Sequence, residues 1–269
     1  MILIIGANGM LGSEVKKLLP NAKAVDKDEL DITSSQSYQK ILDLKPELII
    51  NCAAYTDVDG AETNKELCKK INVDGTLNIA RAAKTLNIPL IHISTDYVFN
   101  GEKKTGYNKD DKKDPINYYG QTKADSEEII IQHLEKYYLI RTAWLFGKNG
   151  KNFVKTIIRL CNEKDQIKVI NDQIGSPTYT LDLAKQIVNF TKADNNSPYG
   201  IYHFTNSETC SWYEFAEEIK KQKNLTCNIQ PCSTQDYPLP AKRPEYSILL
   251  STLDRRPWKE ALKDYLEEV

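Results

Sequence analysis

The sequence predicts an α/β fold, in which a doubly wound parallel sheet is followed by a smaller C-terminal lobe. Short, continuously apolar runs alternate with longer amphipathic runs through the first half of the chain. A glycine-rich turn, residues 6–12, directly follows the first apolar run, and the second half is less regular. Continuous apolar strands that alternate with helices favour parallel pairing with both sheet faces covered. Right-handed crossovers between such strands produce a doubly wound sheet.

The predicted elements follow from these runs in chain order. In the first half, apolar runs predict strands over residues 2–5, 22–25, 48–51, 90–94 and 138–141. Amphipathic runs between them predict helices over residues 10–19, 34–44, 65–86 and 119–133. In the second half, helices are predicted over residues 152–163, 212–223 and 257–266, with another that starts at 176–178 and runs to about 191. Strands are predicted over residues 168–170 and 202–205, and clustered Gly and Pro predict an ordered loop over 231–244.

The composition argues against several classes of protein. With 269 residues and a formal net charge of −1, the chain has no overall field that would steer it to nucleic acid or to an anionic membrane. No apolar run is long enough to span a bilayer, and residues 2–5 are too short for a signal peptide, so a cytoplasmic location is expected. None of the six cysteines lies in a Cys-x-x-Cys pair or in zinc-ligand spacing with a histidine, so no metal site is expected.

The glycine-rich turn has the spacing Gly-x-x-Gly-x-x-Gly between a predicted strand and a predicted helix. A pyrophosphate that rests on a helix N-terminus needs backbone N–H groups at close approach, which a Cβ would obstruct. The turn therefore predicts a dinucleotide site, with a simple strand-to-helix turn as the alternative. The predicted contacts in this segment are Gly6, Asn8, Gly9, Met10, Leu11 and Gly12.

Charged residues after the second predicted strand bear on the adenosine half of this site. Asp26 ends that strand, where a carboxylate would bind the ribose 2′-hydroxyl and favour NAD. Lys27 follows it and would instead pair with a 2′-phosphate, so the choice between NADH and NADPH is left open. Asp31 and Ile32 are predicted to flank the adenine, with an ordinary helix cap as the alternative.

Small residues follow the third predicted strand and leave room for a ligand over the sheet edge, although ordinary packing would explain them as well. The predicted cofactor contacts there are Cys52, Ala53, Ala54 and Tyr55. We therefore expect residues 1–150 to form a Rossmann-like NAD(P)-binding domain, with the option that residues 176–205 return to it. Residues 151–269 are expected to form mainly a substrate-binding lobe.

Two residues on one predicted helix suggest proton transfer. Tyr119 and Lys123 lie one helical turn apart, on the same face. A neighbouring ammonium lowers the pKa of a phenol, and such a phenol can exchange a proton with a substrate oxygen. Thr95 follows the fourth predicted strand, where its hydroxyl would orient a carbonyl oxygen toward Tyr119. His92 lies in an apolar run and is predicted to be a satisfied strand residue rather than a catalyst.

Three motifs together resemble the extended short-chain dehydrogenase/reductase superfamily. They are Gly-Ala-Asn-Gly-Met-Leu-Gly at residues 6–12, Ser-Thr-Asp-Tyr-Val-Phe at 94–99 and Tyr-x-x-x-Lys at 119–123. Further segments resemble the dTDP-4-dehydrorhamnose reductase family in particular, and the similarity extends over essentially the whole chain. These segments are residues 51–59, 117–120, 141–144, 171–178 and 243–244.

The resemblance implies an enzyme that reduces the C4 ketone of dTDP-4-dehydro-L-rhamnose to give dTDP-L-rhamnose, with NADPH or NADH as the reductant. It implies that Tyr119 donates the proton, that Lys123 tunes this tyrosine and holds the nicotinamide ribose, and that Thr95 orients the ketone. Asn72 matches a helical asparagine that supports the site in the wider superfamily. The implied substrate contacts are Val58, Thr95, Tyr97, Trp144 and Arg243, the last of which would bind the diphosphate or form a surface salt bridge.

Some features leave alternatives open. Gly60 stands where the family commonly has lysine, which bears on cofactor choice and local rigidity. Some members of the family bind Mg²⁺ at a dimer contact, so a magnesium ion and the choice between monomer and homodimer stay open. A non-catalytic NADP-binding regulatory subunit, similar to the methionine adenosyltransferase beta subunit, is one alternative function. Another sugar-nucleotide epimerase, dehydratase or reductase is a second. The intact Thr95, Tyr119 and Lys123 argue against a purely regulatory role.

Overall fold

The computed structural model describes residues 1–268. The strands are β1 (Ile2–Ile5), β2 (Lys23–Val25), β3 (Leu48–Asn51), β4 (Leu90–Thr95), β5 (Tyr137–Thr142), β6 (Leu145–Phe146), β7 (Gln166–Ile170), β8 (Ile174–Gly175), β9 (Thr178–Tyr179), β10 (Gly200–His203), β11 (Cys210–Ser211) and β12 (Asn228–Cys232). The α-helices are α1 (Met10–Leu18), α2 (Ser37–Leu44), α3 (Val58–Thr63), α4 (Lys65–Lys69), α5 (Gly75–Leu86), α6 (Tyr118–His133), α7 (Phe153–Glu163), α8 (Thr180–Thr191), α9 (Trp212–Gln222) and α10 (Trp258–Glu267).

A six-stranded parallel sheet in the order β10-β5-β4-β3-β1-β2 forms the centre of the molecule. Its central strands are buried almost throughout, which is why the sequence shows them as apolar runs. The chain moves outward from β1 to β2 and then returns to place β3 on the other side of β1. This reversal opens a crevice at the carboxyl ends of β1 and β3, where open α/β sheets bind their ligands. The predicted α/β, Rossmann-like doubly wound fold is therefore confirmed.

Helices cover both faces of the sheet. One face is packed by α1 and α8, through residues such as Val15 and Ile187. The other face is packed by α2, α5 and α6, through residues such as Ile41, Ile79 and Ile130. These layers keep water from both sides of the sheet, so the strand ends at the crevice are held on a rigid support.

The structure differs from the sequence prediction at several boundaries. Helix α2 begins at Ser37 rather than at residue 34, because Ser37 Oγ donates to the carbonyl of Ser34 in a turn. Helix α8 begins at Thr180, because Thr178 and Tyr179 instead pair with β6 as β9. The short helix α3 and the strand β12 were not predicted. Strand β12 contains Pro231, which disfavours strand prediction, yet it pairs in parallel with β7.

The C-terminal part of the chain has a hydrophobic core of its own, built from α7, α9 and α10 around residues such as Phe215 and Trp258. Helix α8 packs on α1, and β10 pairs with β5 in the main sheet. The division into residues 1–150 and 151–269 stays a prediction, and its last residue, Val269, lies outside the described residues. No helix in the described part of the chain is both long enough and apolar enough to cross a lipid bilayer.

Candidate active site

Two positions of the glycine turn after β1 have no room for a side chain. Gly6 has φ of +77°, and a Cβ there would lie 2.6 Å from the backbone nitrogen of Ala53. A Cβ on Gly12 would lie 2.1 Å from the carbonyl oxygen of Gly6. Gly6 therefore allows β1 to approach the end of β3, and Gly12 allows α1 to pack against the turn.

The N-terminus of α1 faces the crevice without a side-chain cap. Gly9 is the N-cap residue, and it has no side chain that could accept from the first N–H groups of the helix. The first turn of α1 also has no acidic residue. The orphan N–H groups and the positive end of the helix dipole are thus free to bind an anion, as a pyrophosphate site requires.

Two cavities meet at this turn, and both are lined by Gly9, Cys52 and Ala54. The first has a volume of about 390 Å³ and lies toward β2. Its walls include eight of the predicted cofactor contacts: Gly6, Gly9, Asp26, Asp31, Ile32, Cys52, Ala53 and Ala54. The second has a volume of about 410 Å³ and includes Met10 and Leu11. Three further predicted contacts line neither cavity, although each adjoins its walls along the chain: Asn8, Gly12 and Tyr55.

The carboxylates of the first cavity are held by backbone groups. Asp26 Oδ2 accepts from the backbone N–H of Asn8 at 2.8 Å, and Oδ1 accepts from that of Lys27, also at 2.8 Å. Asp31 accepts from the side chain and the backbone of Thr33, and these hydrogen bonds lower the pKa of its carboxyl. Asp26 therefore joins the end of β2 to the glycine turn while it faces the cavity.

The three predicted catalytic residues line the second cavity together. Thr95 ends β4, Tyr119 lies in the first turn of α6, and Lys123 lies one turn further along α6. The Thr95 hydroxyl lies near enough to the Tyr119 phenol to act on its pKa. Tyr119 is 9% exposed, and burial raises the pKa of its phenol well above the usual value, although the contact with Thr95 acts in the opposite direction. The pKa of this phenol is thus raised by burial, and Lys123 is not among the groups that shift it, unlike what the Tyr119–Lys123 spacing predicts.

Lys123 has other partners, which explains that difference. Its side chain is 1% exposed, and Nζ donates to the carbonyl of Ile93 at 2.7 Å. His92 Nε2 accepts from the same ammonium at 3.2 Å. Burial lowers the pKa of Lys123 to about 8, although the Glu127 carboxylate acts to raise it. The ammonium is therefore anchored on β4 below Tyr119 rather than paired with the phenol.

His92 is a satisfied strand residue, as predicted, and it also touches the catalytic lysine. Burial lowers the pKa of its imidazole well below the usual value, so the ring is neutral when it accepts from Lys123. Its Nδ1 lies 3.1 Å from the side-chain amide of Asn51, at the end of β3. The sequence signal for this role was the position of His92 two residues before Ser94, on the face of β4 that α6 covers.

Asp96 is a functional candidate that sequence reasoning passed over. It is 2% exposed in the second cavity, and its Oδ1 accepts from the Thr95 hydroxyl at 2.9 Å. No described residue donates a hydrogen bond of normal geometry to Oδ2, although the nearby Ser247 hydroxyl acts to lower the carboxyl pKa. Burial is the larger effect and raises the pKa of Asp96 to about 6.

Replacing Asp96 with asparagine is expected to stabilise the protein at high pH only. Because the folded-state pKa is raised from 3.8 to about 6, this carboxyl contributes stability below pH 3.8 that is lost as pH rises through 6. Asp96→Asn has no carboxyl to ionise there and does not lose this stability. The unfolding free energy of the variant relative to wild type should therefore rise by about 3 kcal/mol between pH 4 and pH 8. Urea unfolding of both proteins across this range measures it, with Asp110→Asn, at an exposed position, as the control. An advantage that does not change with pH would contradict the assignment.

The residues expected at the sugar divide into two groups. Val58, Tyr97 and Trp144 line the second cavity, and the Tyr97 ring packs edge-on against Tyr119 at a centroid distance of 5.7 Å. Arg243 instead binds Asp59 through two hydrogen bonds, of 3.1 Å and 2.8 Å. Of the two predicted roles of Arg243, the salt bridge is therefore the one formed here. It connects the loop that contains Arg243 to α3, which contains Asp59.

Asn72 supports the site from a short π-helical turn, residues 70–74, that interrupts the predicted helix over 65–86. Its amide donates to Thr122 Oγ1 at 3.0 Å and to the carbonyl of Tyr55 at 3.2 Å, and it accepts from the Tyr55 backbone N–H at 2.8 Å. The side chain thereby connects α6 to the loop after β3, and π-helical turns of this kind are frequent at functional sites.

Trp212 is a further cavity residue that the sequence did not reveal. It belongs to α9 and lines the second cavity beside Trp144. Nothing in the local sequence around Trp212 distinguishes it from an ordinary amphipathic helix residue.

For metals, residues 1–268 contain no group of three or more His, Cys, Asp or Glu side chains arranged to hold an ion, so the magnesium implied by the resemblance has no ligand set among them.

Comparison with known proteins gives a consistent result. The family model described as RmlD substrate binding domain matches residues 1–269. The dTDP-4-dehydrorhamnose reductase of Aggregatibacter actinomycetemcomitans is 39% identical, over 98% of this chain and 97% of its own. The spore coat polysaccharide biosynthesis protein SpsK of Bacillus subtilis is 37% identical, over 99% of this chain and 97% of its own. A crystal structure of dTDP-4-dehydrorhamnose reductase from Bacillus anthracis in complex with NADP is 41% identical, covers 100% of this chain and 99% of that chain, and has a TM-score of 0.95.

Proposed function

Because the chain belongs to the RmlD substrate binding domain family, we propose that it reduces the C4 ketone of dTDP-4-dehydro-L-rhamnose to give dTDP-L-rhamnose, with NADPH or NADH as the reductant. The names of the relatives from Aggregatibacter and Bacillus anthracis support this reaction. The observation that carries it is the meeting of Thr95, Tyr119 and Lys123 in one cavity beside the uncapped N-terminus of α1. A protein that only bound a dinucleotide would not need a buried phenol and hydroxyl at that position.

The residues present fit a dinucleotide. Gly9 adds no side chain where α1 begins, so the first N–H groups of the helix stay open to the crevice, which a pyrophosphate needs. Asp26, Asp31 and Ile32 would hold the adenosine half in the first cavity, and Lys123 would hold the nicotinamide ribose in the second. When bound, the reduced nicotinamide supplies the hydride. The NADP complex of the Bacillus anthracis relative supports this choice of cofactor.

The side chains of the second cavity account for the proton. Since burial raises the pKa of Tyr119, its phenol carries a proton throughout the neutral range and is ready to donate it to the ketone oxygen. The Thr95 hydroxyl now donates to Asp96, and it would turn toward the substrate oxygen as negative charge develops there. The Lys123 ammonium is held by Ile93 and His92 rather than by the phenol, so its proposed part is to hold the nicotinamide ribose beside Tyr119.

Replacing Thr95 with valine is expected to lower kcat by about 10²-fold, because the variant removes one hydrogen bond to the developing oxyanion while it keeps the shape of the side chain. Thr95→Ser is the matched control, since it keeps the hydroxyl, and it should retain most of the activity. Steady-state oxidation of NADPH with dTDP-4-dehydro-L-rhamnose measures both. Equal rates for the valine and serine variants would remove Thr95 from the mechanism.

The assay that tests the function uses the wild-type protein, dTDP-4-dehydro-L-rhamnose, and NADH or NADPH in turn. We expect oxidation of at least one dinucleotide at a catalytic rate and formation of dTDP-L-rhamnose. Binding of the dinucleotide without any oxidation would instead favour the regulatory alternative. A dTDP-sugar substrate also agrees with the proposed role of residues 151–269 as the main substrate-binding lobe, since Trp212 of that segment lines the same cavity.

A further inference from the structure

Trp144 has a backbone conformation that its side chain does not favour. It follows β5 with φ of 49°, in the left-handed region. A bulky aromatic residue rarely adopts this region, and such strain persists only where the surroundings hold it in place. The conformation aims the indole of Trp144 into the second cavity, so the groups that hold it there decide the shape of the sugar site.

Three contacts hold Trp144. Its ring stacks on Trp212, with a centroid distance of 3.5 Å and an interplanar angle of 10°. Its edge lies against Gly175, where an added Cβ would come within 2.6 Å of Trp144 Cε2. Its carbonyl accepts from the backbone N–H of Thr178 at 3.1 Å. One face, one edge and the backbone of Trp144 are therefore all fixed by residues that follow it in the chain.

The elements that carry these contacts are themselves rigid. Trp212 is the first residue of α9, directly after Ser211, which forms a capping box with Glu214. Strand β11 pairs with β8, and this pairing aligns Ser211 with Ile174 and Cys210 with Gly175. Phe153 packs against the Trp212 ring at a centroid distance of 4.6 Å. The Trp212 and Gly175 contacts thus come from α9 and β8, which the β8–β11 pairing joins and the core of the C-terminal lobe anchors.

From this arrangement we propose that Trp212 and Gly175 are positioning residues that build a paired-indole wall and thereby select a deoxysugar. The proposal rests on the proposed function, and it adds the residues that determine the sugar class. Trp144 and Trp212 both line the cavity and present apolar surface to it. A sugar methyl group gains free energy on such a surface, whereas a hydroxyl in the same place loses its hydrogen bonds to water without replacement.

A spectroscopic experiment tests the wall without any turnover. Two stacked indoles give an exciton couplet in far-ultraviolet circular dichroism, and the chain has only three tryptophans. We expect the couplet in wild type and in the matched control Trp258→Phe, since Trp258 is buried elsewhere against Phe215. Trp212→Leu should lose it, and dTDP-L-rhamnose should perturb it in wild type. A couplet that survives in Trp212→Leu, or that ignores saturating dTDP-L-rhamnose, would overturn the proposal.

A kinetic experiment then separates positioning from mere folding. Because the wall touches the sugar in the ground state and the transition state alike, Trp212→Leu should raise KM for the sugar nucleotide about 10-fold with kcat largely kept. Trp212→Phe, which retains a flat ring, should restore most of the loss, and the Kd of NADPH should not change in either variant. Loss of NADPH binding and sugar binding together would mean that Trp212 only supports folding, and an unchanged KM would contradict the proposal directly.

Gly175→Ala provides a second variant that removes no aromatic ring. Its Cβ must displace the Trp144 edge, so the same rise in KM is expected with the couplet altered rather than abolished.

Selectivity is measured with dTDP-6-deoxy-D-glucose and dTDP-D-glucose, which differ only in the 6-hydroxyl. Wild type should bind the deoxysugar about 10-fold more tightly than dTDP-D-glucose. In Trp212→Leu and Gly175→Ala the Kd values of the two sugar nucleotides should lie closer together. Equal binding by wild type would refute the selectivity. If dTDP-L-rhamnose changes the couplet but dTDP-4-dehydro-L-rhamnose is not reduced, the proposed function is wrong and the proposed role of the two indoles is kept.

Discussion

Tyr119→Phe is expected to lower the rate of ketone reduction by about 10³-fold while dinucleotide binding stays intact. The variant removes one oxygen atom, so the cavity keeps its shape but loses its proton donor. Burial holds the Tyr119 phenol protonated at neutral pH, whereas the phenylalanine ring has no proton to donate. Single-turnover oxidation of NADPH, together with a fluorescence titration of NADPH binding, measures the two effects separately.

The neighbouring Tyr118 provides the control for this experiment. It lies on the same helical turn as Tyr119 but is not part of the cavity wall, and its ring faces the Lys65 ammonium instead. Tyr118→Phe should therefore react at nearly the wild-type rate. Comparable rates for the Tyr119→Phe protein and wild type would show that the proton comes from elsewhere, and the catalytic assignment would have to be abandoned.

Glu127→Ala is expected to lower the free energy of unfolding by about 3–5 kcal/mol. Glu127 is fully buried below the active site and accepts from Arg141 through two hydrogen bonds, of 2.9 Å and 2.7 Å, and from Ser94 at 2.5 Å. Its removal leaves the Arg141 guanidinium, which is 2% exposed, without a carboxylate partner. A buried unpaired charge is much more costly than the loss of an exposed pair.

Glu128 on the same helix is the matched control. Its carboxylate is 52% exposed and pairs with Lys113 at 2.6 Å, so Glu128→Ala should cost less than about 1 kcal/mol. Urea unfolding of the two variants at pH 7 compares them. Similar losses in both would mean that Arg141 finds another partner, such as the carbonyl of Lys109, to which it already donates.

The buried Glu127 carboxylate should also make the stability of the protein sensitive to acid. Burial acts to raise the pKa of Glu127, but the hydrogen bonds from Arg141 and Ser94 prevail and lower it below the usual 4.5. A group with a lowered folded-state pKa contributes stability that is present above 4.5 and is lost as pH falls through the folded value. The difference between wild type and Glu127→Ala should therefore shrink at the acidic end of a pH series.

Local patterns in the sequence predicted much of the fold and part of the site. The apolar runs placed β1, β3 and β4 correctly, because burial on both faces removes polar residues from a whole strand. Strand β12 was missed, because Pro231 is a local signal against a strand and only the pairing with β7 outweighs it. The start of α8 was misplaced for a similar reason, since Thr178 and Tyr179 pair with β6 across the fold.

The candidate site likewise has features that the local sequence predicts and features that depend on contacts between distant segments. The sequence by itself determined the glycine turn and the Tyr119–Lys123 pair, because a turn needs particular residues at fixed spacing and a helix places i and i+4 on one face. Only the tertiary structure decided that Lys123 rests on Ile93 and His92, that burial raises rather than lowers the pKa of Tyr119, and that Trp212 backs Trp144. Solvation and ring stacking depend on which distant segments meet, and no local spacing encodes that meeting.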